Sequence, residues 1–148
     1  MSTNKSFSTE TSERYSRALF EAAKDSNELD KTESDVKKFL ILLNSSYEIA
    51  NFLKDPTQKI NIHNNAINIL AEKLLFSKDF KNFLLLIVEK RRIFFVIKIL
   101  ENFLRLCSKK RGEIKASLIS SKELSKDELD AISKDLSQSM GSIIRFDY

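Results

Sequence analysis

Few residues in this chain could carry acid–base, redox or metal chemistry, and none has the companions such chemistry needs. His63 is the one histidine in 148 residues, and Cys107 is the one cysteine. A metal site or an acid–base pair built on histidine requires further ligands or a positioned partner, whereas His63 is followed by Asn64 and Asn65. It is read as a surface or helix-edge residue. Cys107 follows Phe103 and Leu104 at helical spacing, the setting of a buried structural thiol, and a single cysteine closes no intramolecular disulfide. Glu89 and Glu101 are candidate carboxylates, but helical carboxylates ordinarily lie on solvated faces. Two glycines, Gly112 and Gly141, cannot build a Gly-rich phosphate loop. The expectation is no catalytic residue, no metal site and no cofactor.

The charge pattern gives one rival reading. Lys and Arg number 25 against 21 Asp and Glu, a net charge of +4, with the acids interleaved among the bases. The densest basic groups are Lys90-Arg91-Arg92 and Lys109-Lys110-Arg111, which a basic helical nucleic-acid-binding domain would use. Both fall at predicted helix C-termini, where cations complement the macrodipole, and they form no continuous stripe. The expectation is therefore no nucleic acid. The first fourteen residues contain no apolar core of a signal peptide and no Arg-rich amphipathic pattern. The longest apolar run, residues 83–88, is six residues against the ~20 needed to span a bilayer, so a soluble protein with indirect membrane association is expected.

The elements behind these residues change period along the chain. Residues 9–111 read as amphipathic helices, and residues 113–120 switch to strand-like alternation. Helix one is expected at residues 9–25, with Tyr15, Leu19 and Ala22 on one stripe and small Ala18, Ala22 and Ala23 permitting close approach. Helix two is expected at residues 28–44, and a short third helix carries Ile49, Phe52 and Leu53. Asp55-Pro56-Thr57-Gln58 reads as the start of helix four, with Asp55 as cap, Pro56 in the first turn and Gln58 reaching back. Ser77 is the expected cap of helix five. Helix six carries Phe95, Val96, Ile99, Leu100, Phe103 and Leu104 and stops at Lys109 and Gly112.

Helix five is apolar around nearly its whole circumference at Phe83-Leu84-Leu85-Leu86-Ile87-Val88. A helix on a small core needs only about a 100° stripe, so Leu85 and Leu86 exceed that demand. Either the helix is covered on all sides, or it keeps a second apolar face for a partner helix.

Beyond Gly112, Ile114, Ala116 and Leu118 alternate with Lys115 and Ser117. Ser125 and Glu128 make a capping box ahead of Leu129, Ile132, Leu136 and Met140, and Ile144, Phe146 and Tyr148 alternate with Ile143, Arg145 and Asp147. The fold class expected is mainly α, an N-terminal six-helix bundle (residues 1–111) followed by an incomplete small α/β, strand-helix-strand domain (residues 112–148). Two strands and a helix bury too little to stand alone, so truncation or completion by a partner is expected.

On these residues the chain resembles the delta subunit of the F-type ATP synthase, the bacterial counterpart of the mitochondrial oligomycin-sensitivity-conferring protein. The matching segments are RYSRALFEAA at residues 14–23, FLKDP at 52–56, NFLLLIVEKRRI at 82–93 and ASLISSKELSKDELDAI at 116–132. No single motif is specific, but their order and spacing run the length of the chain. The family continues past the second strand into a further strand with a Gly-Gly pair and a terminal helix, which this sequence lacks. The resemblance implies a non-catalytic stator subunit that ties the catalytic alpha/beta head to the peripheral b-subunit stalk, on the cytoplasmic face of a bacterial inner membrane. It further implies that the N-terminal helix of an alpha subunit lies in a groove lined by Tyr15, Ala18, Leu19 and Ala22 of helix one and by Asn82, Leu85, Leu86 and Glu89 of helix five. The C-terminus of the b subunit is implied to meet the C-terminal domain.

Overall fold

In a computed structural model the described residues are 3–112, 114–117, 123–141 and 144–147. The chain is mainly helical, with seven α-helices among those residues. They are α1 (Thr3–Asp25), α2 (Leu29–Ser45), α3 (Tyr47–Lys54), α4 (Ile60–Leu74), α5 (Lys78–Glu89), α6 (Val96–Lys110) and α7 (Lys126–Met140), with a 3₁₀ turn at Ile93–Phe95. Two compact units divide the chain, residues 1–106 and residues 107–148.

The first unit is organised around α5, which packs against α1, α2 and α4. Its Phe80, Phe83, Leu84, Ile87 and Val88 are buried. Phe39 of α2, Phe76 of the α4–α5 turn and Phe80 form an edge-to-face triad with centroids 5.7, 6.0 and 4.9 Å apart. Such geometry sets each ring's positive edge on a neighbour's negative face and adds about 0.5–1.5 kcal/mol per pair to area burial. The turn that starts α5 is fixed from a distance as well as locally. Ser77 caps α5 by accepting from the Phe80 N–H, as its position in the sequence predicts. Its own N–H donates to Oδ2 of the buried Asp35 on α2 at 2.7 Å, and Lys38 lies 3.8 Å from the other carboxylate oxygen. Replacing Asp35 with Ala leaves a buried N–H without an acceptor, and a loss of about 1.5–3 kcal/mol is expected in denaturant unfolding.

Three local expectations need correction. Helix α1 begins at Thr3, not near residue 9. Long-range contacts hold these early turns, which lack apolar periodicity: Lys98 donates to the Ser8 and Thr9 hydroxyls (3.4 and 3.0 Å), and Arg92 lies over the Phe7 ring. The Asp55-Pro56 segment is a turn rather than a helix start, since α4 begins at Ile60. Asp55 is extended, as a residue before proline prefers, and ends α3. Its carboxylate accepts from the Thr57 hydroxyl (2.6 Å), the Thr57 N–H (2.9 Å) and the Gln58 side-chain amide (3.1 Å). Those bonds, with the Thr57 hydroxyl first, hold its pKa below the usual 3.8. The turn's contribution is accordingly complete above the ordinary carboxylate pKa and is lost as pH falls through the lowered one. Thr57→Val should raise the Asp55 pKa in an NMR titration.

The third correction is His63, which is buried at 4% exposure rather than lying on the surface. Its Nε2–H donates to the Phe52 carbonyl at 2.9 Å and its ring meets Phe52 edge-on. The Phe52 carbonyl in the last turn of α3 also accepts from the Asp55 N–H at 3.3 Å, and His63 from α4 supplies its second donor. Cys107 is buried, in keeping with a structural thiol.

Helix α4 ends on Leu75 in the left-handed region (φ 54°), with its side chain 78% exposed. Glycine occupies that conformation without a Cβ clash, as it does at Gly112 (φ 68°) and Gly141 (φ 65°). Leu75→Gly should stabilise the protein by about 0.5–1 kcal/mol in thermal or denaturant unfolding, because little buried apolar surface is lost.

In the second unit, Ile114–Ser117 (β1) and Ile144–Asp147 (β2) pair in parallel, with Ile114 opposite Ile144 and Ser117 opposite Asp147. The intervening α7 opens on the Ser125–Glu128 capping box and ends at Gly141. Two hydroxyls of α7 hold β2: Ser133 donates to the Ile144 carbonyl (3.2 Å), and Ser137 accepts from its N–H (3.3 Å). The expected strand positions Leu118, Ile143 and Tyr148 lie outside the described residues. Two four-residue strands do not by themselves constitute an α/β domain, so the fold class stands as mainly helical.

Candidate functional site

An open groove in the first unit lies between α1 and α5. Helix α1 turns the buried Leu19 and Ala23 inward, which leaves Ala18 and Ala22 on the neighbouring exposed face. An alanine presents a methyl group and no more, so the surface over Ala18 and Ala22 is recessed. Helix α5 buries one stripe at Phe83, Leu84, Ile87 and Val88, and its next stripe emerges beside that recess. Leu86 on that stripe is 41% exposed, although leucine gains about 1.5–3 kcal/mol from full burial. The result is an open, mostly apolar groove of about 570 Å³. It is lined by Ala18, Leu19, Ala22, Asp25 and Ser26 from α1 and its end, and by Asp79, Asn82, Phe83 and Leu86 from α5.

Five of the eight expected site residues meet in this lining: Ala18, Leu19, Ala22, Asn82 and Leu86. Tyr15, Leu85 and Glu89 do not line it. Tyr15 and Leu85 are half-buried and Glu89 is exposed at the last residue of α5. The lining residues Asp25, Ser26, Asp79 and Phe83 were not anticipated. Asp79 stands in the first turn of α5, where a carboxylate complements the helix dipole, and that local role masks its place on the groove. Ser26 closes α1 by donating to the Ala22 carbonyl at 3.1 Å.

A second concavity of about 80 Å³ lies under the α3–α4 turn, with Asp55, His63, Arg91 and Phe94 in its wall. The His63 Nε2–H is already committed to Phe52, and among the described residues no group of three His, Cys, Asp or Glu could hold a metal. After α5 the backbone of Lys90 caps the helix, Arg91 takes a left-handed turn at φ 54°, and the Arg92 side chain covers Phe7. No helix among the described residues is long and apolar enough to cross a membrane.

Comparison with known proteins adds a family to this geometry. Residues 11–148 match the family model described as the ATP synthase delta (OSCP) subunit. The chain is 37% identical to the ATP synthase subunit delta of Pelagibacter ubique over 148 residues, covering all of this chain and 80% of that one. It is 29% identical to the ATP synthase subunit delta of Rhodospirillum rubrum over 147 residues, covering 99% of this chain and 79% of that one. Its fold is similar to a chain in a cryo-EM structure of the Toxoplasma gondii mitochondrial ATP synthase hexamer. The TM-score is 0.77 at 21% identity, over 93% of this chain and 77% of that chain.

Proposed function

Because the chain belongs to the ATP synthase delta (OSCP) subunit family, we propose that it is a non-catalytic stator subunit linking the alpha/beta head to the peripheral b-subunit stalk. Such a link resists the torque of the rotor and so couples rotation to ATP synthesis and ion translocation. The task asks for strong attachment and no chemistry. In this reading the α1/α5 groove receives the amphipathic N-terminal helix of an alpha subunit, with Tyr15, Leu85 and Glu89 at its margins. The observation that carries it is the open apolar recess in which Ala18 and Ala22 lie low and Leu86 stays exposed. Helix-in-groove recognition uses that kind of recess, with apolar anchors at helical spacing. Residues 112–148 meet the C-terminus of the b subunit, and the protein sits peripherally on the cytoplasmic face of a bacterial inner membrane. It uses no cofactor.

The test is assembly with an alpha/beta head stripped of its own delta subunit. One copy of this protein should bind per head. Binding should disappear when the alpha N-terminal segments are removed by proteolysis, and undiminished binding to the trimmed head would overturn the groove reading. The nucleic-acid alternative gains no support from the basic residues, which gather at the ends of α5 and α6 where cations complement the helix dipole, with Arg92 over Phe7.

A further inference from the structure

We infer that the helix received by the groove carries a basic side chain at one end of its apolar stripe, seated between Asp25 and Asp79; this inference rests on the docking reading above. The groove has two ionisable side chains in its lining, and both are carboxylates. Asp25 is exposed at the last residue of α1, and Asp79 is half-buried in the first turn of α5. Neither has a hydrogen-bond or ion-pair partner among the described residues: the neighbouring Lys24 faces Glu21 at 3.9 Å, and the ion pairs of α1 and α2 involve other acids. Asp35, by contrast, is consumed by the Ser77 N–H.

Helix direction brings the two carboxylates to one end. Helices α1 and α2 are joined by only residues 26–28 and so run antiparallel. At the opposite end, Arg92, just past the C-terminus of α5, lies over the ring of Phe7 in the early turns of α1. Helix α5 is thus antiparallel to α1, and the C-terminal Asp25 shares an end with the N-terminal Asp79. Ala18 and Leu86 mark the apolar remainder. The negative end of the α1 dipole and the positive end of the α5 dipole meet there and oppose each other, so the two carboxylates set the sign of the field. A lysine or arginine there gains attraction in a partly desolvated site, while an acidic residue is repelled, so the pair fixes both the direction and the register of the bound helix.

The test uses the full chain and a synthetic peptide of about 20 residues, a helix of ~30 Å, from the N-terminus of the alpha subunit of the same cell. The double variant Asp25→Asn/Asp79→Asn should keep its fold and bind about tenfold more weakly at low salt, with a flatter salt dependence than the parent. A peptide whose basic end residue is changed to Glu should bind the parent about tenfold more weakly and regain affinity on Asp25→Lys/Asp79→Lys. Equal affinity and equal salt dependence of parent and double variant, with the parent binding normally, overturns this inference and leaves the docking reading standing. Failure of the folded parent to bind the peptide overturns both.

Discussion

Ala18→Trp is expected to fold normally and to lose affinity for the alpha N-terminal helix by at least about 100-fold, ~2.8 kcal/mol. The two halves of that expectation have separate causes. Ala18 is exposed on the groove side of α1, so a larger side chain there displaces no core atom. Surface changes away from caps and cores usually stay within about 0.5 kcal/mol of the parent in stability. An indole standing in the recess, however, occupies the space that the proposed docking gives to the partner's backbone, and a helix docked there would have to lift off Leu86 and Ala22. Denaturant unfolding checks the first half and calorimetric titration the second. Normal affinity with preserved helicity would remove α1 from the site.

Phe39→Ala is expected to cost about 3–5 kcal/mol, a large share of the stability of a small domain. Phe39 is fully buried, and it holds both Phe76 and Phe80 in edge-to-face contact. Truncation leaves a cavity bounded by aromatic rings belonging to two structural segments, which cannot collapse without moving the start of α5. Because α5 forms one wall of the groove, peptide binding should weaken in parallel with stability. Denaturant midpoints at constant slope measure the loss. A cost under about 1 kcal/mol would mean that the triad does not organise α5.

What the sequence disclosed and what it hid follow from the range of the interactions involved. Local signals were legible: the Ser77 cap, the Ser125–Glu128 box and the glycine stop after α6 are written in residues at most a few positions apart. Periodicity identified the helices, and the excess of apolar residues at Leu85 and Leu86 pointed to α5 as a wall with a second face. The structure leaves Leu86 open and Leu85 half-buried. Contacts across long separations were not legible. Nothing local sets Asp35 apart until Ser77, 42 residues away, is placed against it. His63 reads as a surface residue until the end of α3 is folded beneath it. The Asp55-Pro56-Thr57-Gln58 segment carries helix-start chemistry, but the carboxylate uses the same acceptor capacity to close a tight turn. The groove was legible in part. Small residues at Ala18 and Ala22 mark close approach, whereas Asp25 and Asp79 join it only through the antiparallel placement of α1 and α5.

The most direct test of the central claim is calorimetric titration of the full chain with a peptide covering the N-terminal helix of the matching alpha subunit. The stator reading predicts saturable one-to-one binding with a negative heat-capacity change, the mark of apolar surface leaving water in the groove. Absence of binding to the folded protein, across temperatures and at low salt, would contradict it.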